Sequence, residues 1–359
     1  MLTSQIEDDI ENIVSSALPW ERFAGKCILI SGAAGFLATY LVETLLALRA
    51  IGKGPRLVVG LVRNMPKAQL RFGHHAERQD FELVECDLAE PLALDRKIDF
   101  IIHAASQASP KFYIADPIGT LKPNTLGTYQ LLLRAVADKT EGFLFLSSAE
   151  VYGQTTAASI VEDDYGYLDP SDVRSCYAES KRMGETLCVS AHHQFGTTTY
   201  IARLFHTYGP GLAVDDGRVF SDFIADIIQH RDFTIKSDGT ARRAFCYVTD
   251  AVIGLFTILL KGQPARPYNV GNDQAEVSII ELAEILVTTF LDRNLKIIVD
   301  PSKSGPTYAK SPVSRICPNV GALRSIGWKP NICISDGFKR TVRSIEEECN
   351  RPSKVTDTR

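Results

Sequence analysis

The sequence lacks any close pairing of cysteines. Its eight cysteines are spread from position 27 to position 349. Zinc sites and small disulfide scaffolds bring their cysteines together in short, repeated spacings, and no such spacing occurs here. We therefore expect reduced thiols in a cytoplasmic protein, and no metal site.

The sequence also lacks a surplus of positive charge and any long apolar run. Its 39 Lys and Arg residues stand against 43 Asp and Glu residues, for a net charge of -4. Nucleic-acid binding usually needs a basic surplus, and a membrane-spanning helix needs about 20 consecutive apolar residues. The first residues, with Glu7, Asp8 and Asp9, are acidic where a signal peptide needs a basic start. We expect neither nucleic acid nor a membrane among the partners.

Apolar strands alternating with helical stretches are present over most of the chain. The 359 residues are 45% hydrophobic, which suffices for a large buried core. Strands that alternate with helices predict an α/β fold with a doubly wound parallel sheet, covered on both faces. The pattern loosens beyond Arg203, which predicts a smaller C-terminal region. The predicted strands are 27–30, 57–62, 81–84, 100–102, 143–146 and 199–202, and the predicted helices include 124–138, 177–195, 217–229, 248–260 and 279–291.

A glycine-rich turn, Gly32-Ala33-Ala34-Gly35-Phe36-Leu37-Ala38, follows the first strand and opens a helix. Glycines at such a turn let the backbone approach a pyrophosphate held at the helix N-terminus. The spacing G-x-x-G-x-x-A differs from the usual G-x-G-x-x-G, but the strand–turn–helix context separates it from an ordinary glycine turn. The turn predicts a Rossmann-type dinucleotide site that uses Gly32, Gly35, Phe36 and Leu37.

The second strand ends at Arg63, which bears on the choice of cofactor. An acid at this point accepts hydrogen bonds from the ribose of NAD, whereas a basic residue suits the 2'-phosphate of NADP. Arg63 therefore favours NADP, with NAD as the alternative if Arg63 only stacks on adenine or points into solvent. Asp87 and Leu88 after the third strand, and Ala104 and Ala105 after the fourth, are expected to line the cofactor.

Tyr177 and Lys181 are four residues apart in a predicted helix and therefore share one face. An ammonium group beside a phenol favours the ionised phenol. Such a phenol can exchange a proton with an alcohol oxygen while a nicotinamide handles the hydride. The pair predicts an oxidoreductase.

Together with Asn124 and the segment Ser147–Gly153, these motifs resemble the extended short-chain dehydrogenase/reductase family, from about Lys26 to Glu346. The resemblance implies a nucleotide-sugar substrate and a homodimer. Within the family, the motifs are most similar to those of the UDP-glucuronate decarboxylases, and the nucleotide-sugar 4,6-dehydratases are similar over the same span.

The resemblance also implies roles for individual residues. Ser148 is expected to hydrogen-bond the oxygen at C4 of the sugar, Tyr177 to exchange its proton, and Lys181 to lower the pKa of Tyr177 and hold the nicotinamide ribose. Glu150 is the fourth implied catalytic residue, and Asn124 joins the cofactor site. Substrate contacts are expected from Ser106, His206, Arg218, Arg243, Asn269 and Arg315, although each arginine is equally compatible with a solvated surface charge.

The cofactor and substrate motifs predict a division of the chain. The expected parts are a helical leader at 1–24, an NAD(P)-binding Rossmann domain at 25–203 with a return segment at about 244–270, a substrate-binding region at 204–243 and 271–346, and a polar tail at 347–359.

Two departures from the family pattern bear on the reaction. Ala149 stands where similar dehydratases have an acid, and alanine has no proton to give to a departing hydroxyl. Arg63 suits consumption of NADPH. Together they predict an NADPH-dependent 4-ketoreductase of a nucleotide-linked 4-keto-6-deoxyhexose, such as a dTDP sugar for a surface polysaccharide like O-antigen. The alternatives are a UDP-glucuronate decarboxylase that forms UDP-xylose, and then a 4,6-dehydratase or 4-epimerase with tightly held NAD.

A non-catalytic nucleotide-sensing protein with the same fold is the rival from another functional class. Such proteins commonly lose the tyrosine, the lysine or the glycine turn, and this chain keeps all three. Since fold alone never fixes function, the retained residues are the reason to expect an enzyme.

Overall fold

The computed structural model describes residues 2–301 and 313–350. The helices are α1 (Ser4–Val14), α2 (Phe36–Leu48), α3 (Met65–Phe72), α4 (Lys111–Ala115), α5 (Pro117–Lys122), α6 (Thr128–Asp138), α7 (Cys176–Phe195), α8 (Val219–Ile228), α9 (Val248–Lys261), α10 (Ile279–Thr289), α11 (Gly321–Ser325) and α12 (Ile334–Asn350). The strands are β1 (Cys27–Ser31), β2 (Leu57–Val62), β3 (Phe81–Glu85), β4 (Phe100–His103), β5 (Gly142–Ser148), β6 (Thr199–Leu204), β7 (His206–Tyr208), β8 (Phe233–Ile235), β9 (Arg242–Tyr247), β10 (Pro267–Val270), β11 (Glu276–Ser278), β12 (Ile297–Val299) and β13 (Arg315–Ile316).

Seven parallel strands form the central sheet, in the order β10-β6-β5-β4-β1-β2-β3. Ser31 at the end of β1 pairs with Leu61 of β2 on one side and with His103 of β4 on the other. The order reverses between β1 and β4, and ligands of such sheets bind outside the carboxyl ends of the strands at this point. The predicted doubly wound parallel sheet is confirmed.

Successive residues of β1 pack into two different cores. Ile28 and Ile30 belong to the core that includes Leu255 of α9. Cys27 and Leu29 belong to the core that includes Leu131 of α6. Side chains alternate between the two faces of a strand, so helices covering both faces leave every residue of β1 buried. This burial explains the unbroken apolar run in the sequence.

The second half of the chain builds a smaller sheet around β9. Strand β7 pairs with β9 in parallel, β11 pairs with it antiparallel, and β13 pairs with it in parallel. Strands β8 and β12 form a separate parallel pair. Several of these strands have only two or three residues, so their side-chain alternation is too short to predict them from the sequence.

The predicted elements differ from the structure mainly at their ends. Strand β10 joins the central sheet as its seventh strand, although its four residues were not predicted as a strand. The helix expected over 124–138 begins with a π-helical turn, Pro123–Gly127. Helix α12 runs to Asn350, beyond the expected start of the tail at 347, and residues 351–359 lie outside the described part. Within the ranges described above, no helix is long and apolar enough to cross a lipid bilayer.

Candidate functional site

The glycine turn leaves room for a ligand between the ends of β1 and β4. Gly32 has a φ of +66°, and a Cβ atom there would lie 2.6 Å from the Cα of Ala105. Gly35 caps α2 without any side-chain hydrogen bond, so the first N–H groups of the helix, including those of Phe36 and Leu37, keep their capacity to bind an anion. These residues fit the pyrophosphate of a dinucleotide, which needs close backbone approach and free N–H donors.

The other predicted cofactor residues lie along the same edge of the sheet. Arg63 is exposed directly after β2, and Asp87 follows β3 by two residues. The Asp87 carboxylate accepts a hydrogen bond from the N–H of Ala89 at 3.0 Å. Ala104 directly follows β4, one residue before the Ala105 that faces Gly32. The carboxyl ends of β2, β3 and β4 thus carry the predicted set along one edge, and Asp87, after the outermost strand β3, is farthest from the switch point in strand order.

Asn124 lies buried beneath this edge, in the π-helical turn. Its amide nitrogen donates to the Thr120 carbonyl and to the Ser180 hydroxyl, both at 3.0 Å. His103 bonds through Nδ1 to Ser31 at 2.6 Å, and burial lowers its pKa to about 3. Asn124 therefore joins the turn to α7, and His103 is a neutral packed residue.

Tyr177 occupies the first turn of α7, opposite the end of β5 at Ser148. Burial raises the pKa of Tyr177 to about 12, and the hydroxyls of Ser148 and Ser106 act in the opposite direction. The Ser106 Oγ is buried and forms no hydrogen bond of good geometry with any described residue. The phenol is therefore protonated at neutral pH, with two hydroxyls beside it.

Lys181 lies one turn further along α7 and is also buried. Its Nζ donates to the carbonyl of Leu146 at 2.6 Å and lies 5.7 Å from the centroid of the Tyr177 ring. Burial lowers the pKa of Lys181 to about 7. The sequence predicted that Lys181 would lower the pKa of Tyr177. Burial moves both pKa values toward the neutral forms, so an effect of Lys181 on Tyr177 has to act against this loss of solvent, and it stays a prediction.

Glu150 follows β5 in the helical turn Ala149–Tyr152, and its N–H donates to Ser148 at 3.2 Å. The residue is exposed to solvent. The protein around it raises the pKa of Glu150 by desolvation, and the guanidinium groups of Arg174 and Arg243 oppose that rise. Glu150 can therefore hold a proton more readily than an ordinary surface glutamate.

A basic wall formed by Arg218, Arg243 and His206 faces these groups. His206 on β7 and Arg243 on β9 lie on paired strands. Burial lowers the pKa of His206 to about 3, with further lowering from Arg243 and Arg218. The charge of Arg218 also acts on the phenol of Tyr177. The cleft, defined as the space between the carboxyl ends of the central strands and strands β7 and β9, therefore combines the protonated phenol of Tyr177 with the guanidinium groups of Arg218 and Arg243, while His206 is neutral.

Several predicted substrate residues are already engaged by protein groups, including Arg218, which pairs with the carboxylate of Asp216. Asn269 is fully buried, and its amide nitrogen donates to the carbonyls of Ile160 and Asn319 while its oxygen accepts from Tyr152. Both donors of the Asn269 amide are used within the protein, so only its oxygen keeps capacity for a ligand, and its role as a substrate contact stays a prediction. Arg315 donates to Glu276 at 2.6 and 2.8 Å. A substrate anion would have to compete with that carboxylate.

Sequence reasoning missed Tyr113 and Arg174. Tyr113 on α4 stacks on the ring of Tyr177, and Arg174 acts electrostatically on both Glu150 and Tyr113. Arg174 stands three residues before Tyr177, so nearness in the chain was a usable signal. No feature of the sequence identified Tyr113, because its contact with Tyr177 forms only when the segment after β4 packs against α7.

Comparison with known proteins agrees with this geometry. The profile of the NAD dependent epimerase/dehydratase family matches residues 28–271. UDP-glucuronic acid decarboxylase 3 of Arabidopsis thaliana is 36% identical over 329 residues, which cover 90% of each chain.

Two solved structures share the fold. Epimerase Mth375 of Methanothermobacter thermautotrophicus has a TM-score of 0.77 at 22% identity, covering 96% of each chain. DesIV, a dTDP-glucose 4,6-dehydratase of Streptomyces venezuelae solved with NAD and TYD bound, has a TM-score of 0.75 at 23% identity, covering 89% of this chain and 97% of DesIV. The chain therefore belongs to the NAD dependent epimerase/dehydratase family, a family of enzymes within the extended short-chain dehydrogenases/reductases.

Proposed function

We propose that this enzyme decarboxylates UDP-glucuronate with the help of a nicotinamide dinucleotide held at the glycine turn. The observation that carries the proposal is the 36% identity to a UDP-glucuronic acid decarboxylase across 90% of both chains. The sequence alone favoured a 4-ketoreductase, on the strength of Arg63 and Ala149. The relatives support its stated alternative, the decarboxylase, better than that first prediction.

Ala149 is compatible with decarboxylation. A uronic acid loses carbon dioxide readily once C4 is a ketone, because the electron pair left at C5 is delocalised into the carbonyl. The bound dinucleotide supplies a reversible hydride acceptor for C4. No hydroxyl leaves the sugar, so the acid that a dehydratase needs at position 149 has no task here.

The proton transfers are assigned to residues of the cleft. Tyr177 takes the proton of the C4 hydroxyl and later returns it, with Ser148 bonded to the same oxygen. Taking that proton needs Tyr177 in its ionised form, which burial disfavours by raising its pKa to about 12. We therefore assign Lys181, one helical turn away, the role of favouring ionisation of the phenol, and this role requires the lysine in its charged form. Glu150, whose pKa is raised by desolvation, is proposed to protonate C5 after carbon dioxide has left.

Arg218 and Arg243 give the cleft the positive charge that this substrate needs. UDP-glucuronate carries a diphosphate and a carboxylate, and guanidinium groups pair with both kinds of anion. Arg243 is only 7% exposed, and it donates to the carbonyl of Val313 at 2.8 Å, which holds its side chain in place. A fixed guanidinium loses little conformational entropy when it binds an anion.

The second candidate is the NADPH-dependent 4-ketoreductase, and two specific observations favour it. Arg63 is exposed at the end of β2, where it is available to a 2'-phosphate. The protonated phenol of Tyr177 is also ready to deliver a proton to the alkoxide formed at C4.

One pair of assays separates the two candidates. Purified protein is incubated with UDP-glucuronate and NAD without reductant, and separately with a nucleotide-linked 4-keto-6-deoxyhexose and NADPH. We expect carbon dioxide and UDP-xylose in the first assay, with no net change in reduced cofactor. Loss of NADPH in the second assay, without carbon dioxide in the first, would replace the decarboxylase with the reductase. The Tyr177→Phe variant serves as the control for contaminating activity in both.

We also propose that a second copy of this chain binds the outer face of α6 and α7. The groove between the two helices exposes the apolar side chains of Tyr129, Leu133 and Phe195, at 49%, 44% and 53%. A two-fold dimer lets one apolar face cover its own copy. Light scattering is expected to give the mass of a dimer for the wild type and a smaller mass for Leu133→Asp. A monomeric wild type would contradict the proposal.

A further inference from the structure

Three side chains with metal-binding chemistry lie together outside the cleft. Glu43 belongs to α2, and His74 and His75 belong to the helical turn Gly73–His75 that follows α3. One donor atom from each side chain can be chosen so that all three lie within 4.8 Å of one another. Nothing in the proposed reaction uses this group.

Both imidazoles point the same ring nitrogen at one carboxylate. His74 Nε2 lies 3.1 Å from Oε1 of Glu43, and His75 Nε2 lies 2.8 Å from Oε2. The Glu43 side chain is 4% exposed, and the histidine side chains are 19% and 13% exposed. The cluster is therefore shielded, with its remaining opening on the histidine side.

The local backbone explains how two consecutive histidines converge. Consecutive residues of an α-helix do not face each other. Here α3 has ended at Phe72, and the tighter turn brings the two rings to a centroid distance of 4.0 Å with 43° between their planes. The convergence is a property of this turn, and it places two imidazole nitrogens where one ion can reach both.

We propose that Glu43, His74 and His75 bind one divalent transition-metal ion of the zinc class, with water as a fourth ligand. Imidazole nitrogen and carboxylate oxygen bind zinc at about 2.0 to 2.2 Å, which places neighbouring ligand atoms of a tetrahedron roughly 3.3 Å apart. The separations of 2.8 and 3.1 Å between the imidazole nitrogens and the carboxylate are close to that value, although they reach different oxygens of Glu43. The three ligand atoms lie within 4.8 Å of one another, so the side chains must draw together around the ion. Binding at Nε2 needs each neutral imidazole to carry its proton on Nδ1, so the ion takes the place of the two hydrogen bonds between these nitrogens and Glu43.

The site would act on structure rather than on catalysis. The ligands come from segments 31 and 32 residues apart, so an ion would tie α2 to the connection between β2 and β3. Helix α2 begins at the glycine turn, and the same connection begins with Arg63. The expectation of no metal rested on cysteine spacing, which carries no information about a histidine and glutamate site assembled by folding.

Cobalt binding to the full-length protein tests the proposal. The protein is treated with a chelator and titrated with Co²⁺ near neutral pH, followed by calorimetry and by the visible absorption spectrum. We expect one Co²⁺ per chain, a tetrahedral spectrum without a thiolate-to-metal band, and displacement by Zn²⁺. Absence of stoichiometric binding, or a thiolate band from the exposed Cys333 or Cys349, would overturn the proposal.

Variants locate the ion. His75→Gln is expected to weaken Co²⁺ binding by at least about 100-fold. Removing a residue that only hydrogen-bonds to a metal ligand costs up to about that factor, so a larger loss indicates a direct ligand. His193→Gln, at an exposed histidine of α7, is the matched control and should bind as the wild type does. Glu43→Gln keeps a hydrogen-bonding side chain of the same shape and should also bind weakly. If His75→Gln does not fold, the Co²⁺ affinity of Glu43→Gln tests the assignment. An affinity equal to that of the wild type would contradict it.

Discussion

The ring of Tyr113 lies nearly parallel to the ring of Tyr177, with 4.8 Å between their centroids and 12° between their planes. Tyr113 is held in turn by its hydroxyl, which donates to the carbonyl of Ala108 at 3.0 Å. Tyr113 thus fixes the plane of the Tyr177 ring, and we propose it as a positioning residue for the phenol to which proton transfer is assigned.

Replacing Tyr113 should separate stacking from hydrogen bonding. Tyr113→Phe keeps the ring contact and should retain most of kcat. Tyr113→Leu loses the stacking, worth about 0.5 to 1.5 kcal/mol, and should lower kcat roughly 2-fold to 10-fold. The measurement is kcat and KM for both variants. Equal kcat values in the two variants would remove the positioning role.

Tyr177→Phe should lower kcat by about 100-fold to 10,000-fold, because a positioned general acid or base contributes that much. Cofactor binding should stay close to that of the wild type, since the ring and its stacking on Tyr113 are kept. The checks are steady-state turnover and a fluorescence titration with the dinucleotide. Near-normal turnover would defeat the assignment of the phenol.

Gly32→Ala should abolish tight dinucleotide binding. The added Cβ would lie 2.6 Å from the Ala105 Cα, so one of the two segments must move, and this movement disrupts the close backbone approach that the pyrophosphate needs. Gly25→Ala is the matched control, because Gly25 also has a positive φ, +75°, but nothing lies within 4 Å of its Cβ position. Both variants should lose about 1 to 2 kcal/mol of stability from backbone strain, and only Gly32→Ala should lose the cofactor. The measurement is the binding affinity of each variant for NAD and for NADP.

Arg63→Asp should shift the preference from the phosphorylated to the unphosphorylated dinucleotide by about 10-fold or more, the value of one charge-assisted hydrogen bond. The ratio of kcat/KM for the two cofactors measures the shift. Lys67→Asp makes the same change of charge at an exposed position of α3 and serves as the control. An unchanged ratio in Arg63→Asp would show that Arg63 does not meet the 2'-phosphate.

The free energy of unfolding should depend on pH through the ionisation of Asp9. Burial raises the pKa of this carboxyl to about 6, against hydrogen bonds from residues such as Tyr247 that lower it. The folded state binds the proton more tightly than the unfolded state, so this group lowers the free energy of unfolding as pH rises from about 4 to about 6. At 1.36 kcal/mol per pKa unit, the loss is about 3 kcal/mol.

Asp9→Asn removes that titration. The free energy of unfolding is measured with urea at a series of pH values. Relative to the wild type, it should increase for Asp9→Asn as pH rises from about 4 to about 6, and the difference should stay constant above about pH 6. Asp8→Asn, at the exposed neighbouring position, should follow the wild-type curve. Parallel curves for Asp9→Asn and the wild type would contradict the raised pKa.

The central sheet could be predicted from the sequence because its strands are buried on both faces. β2, with an unbroken run from Leu57 to Val62, has the same bounds in the sequence analysis and in the structure. β7 and β13 could not be predicted, since three and two residues carry no usable alternation. The glycine turn and the Tyr177–Lys181 pair were visible because their chemistry depends on local spacing.

The rest of the site depends on contacts between distant parts of the chain. The family resemblance implied Asn269 as a substrate contact, but in the folded protein its amide nitrogen donates to the carbonyls of Ile160 and Asn319. The effect of burial on Lys181 and Tyr177 was equally hidden, because a four-residue spacing gives their proximity but not the loss of water around them. Burial follows from the packing of α7 against the sheet.

Helix α1 joins both walls of the cleft through one buried carboxylate. Asp9 accepts from Tyr40 of α2 at 3.3 Å and from Tyr247 of β9 at 2.7 Å. The hydroxyl of Thr3 bonds to Ser344 of α12 at 2.6 Å. Helix α1 is thus hydrogen-bonded both to α2, which follows the glycine turn, and to β9, which carries Arg243. Moving these two walls apart would require breaking the hydrogen bonds of Asp9, so α1 opposes a widening of the cleft.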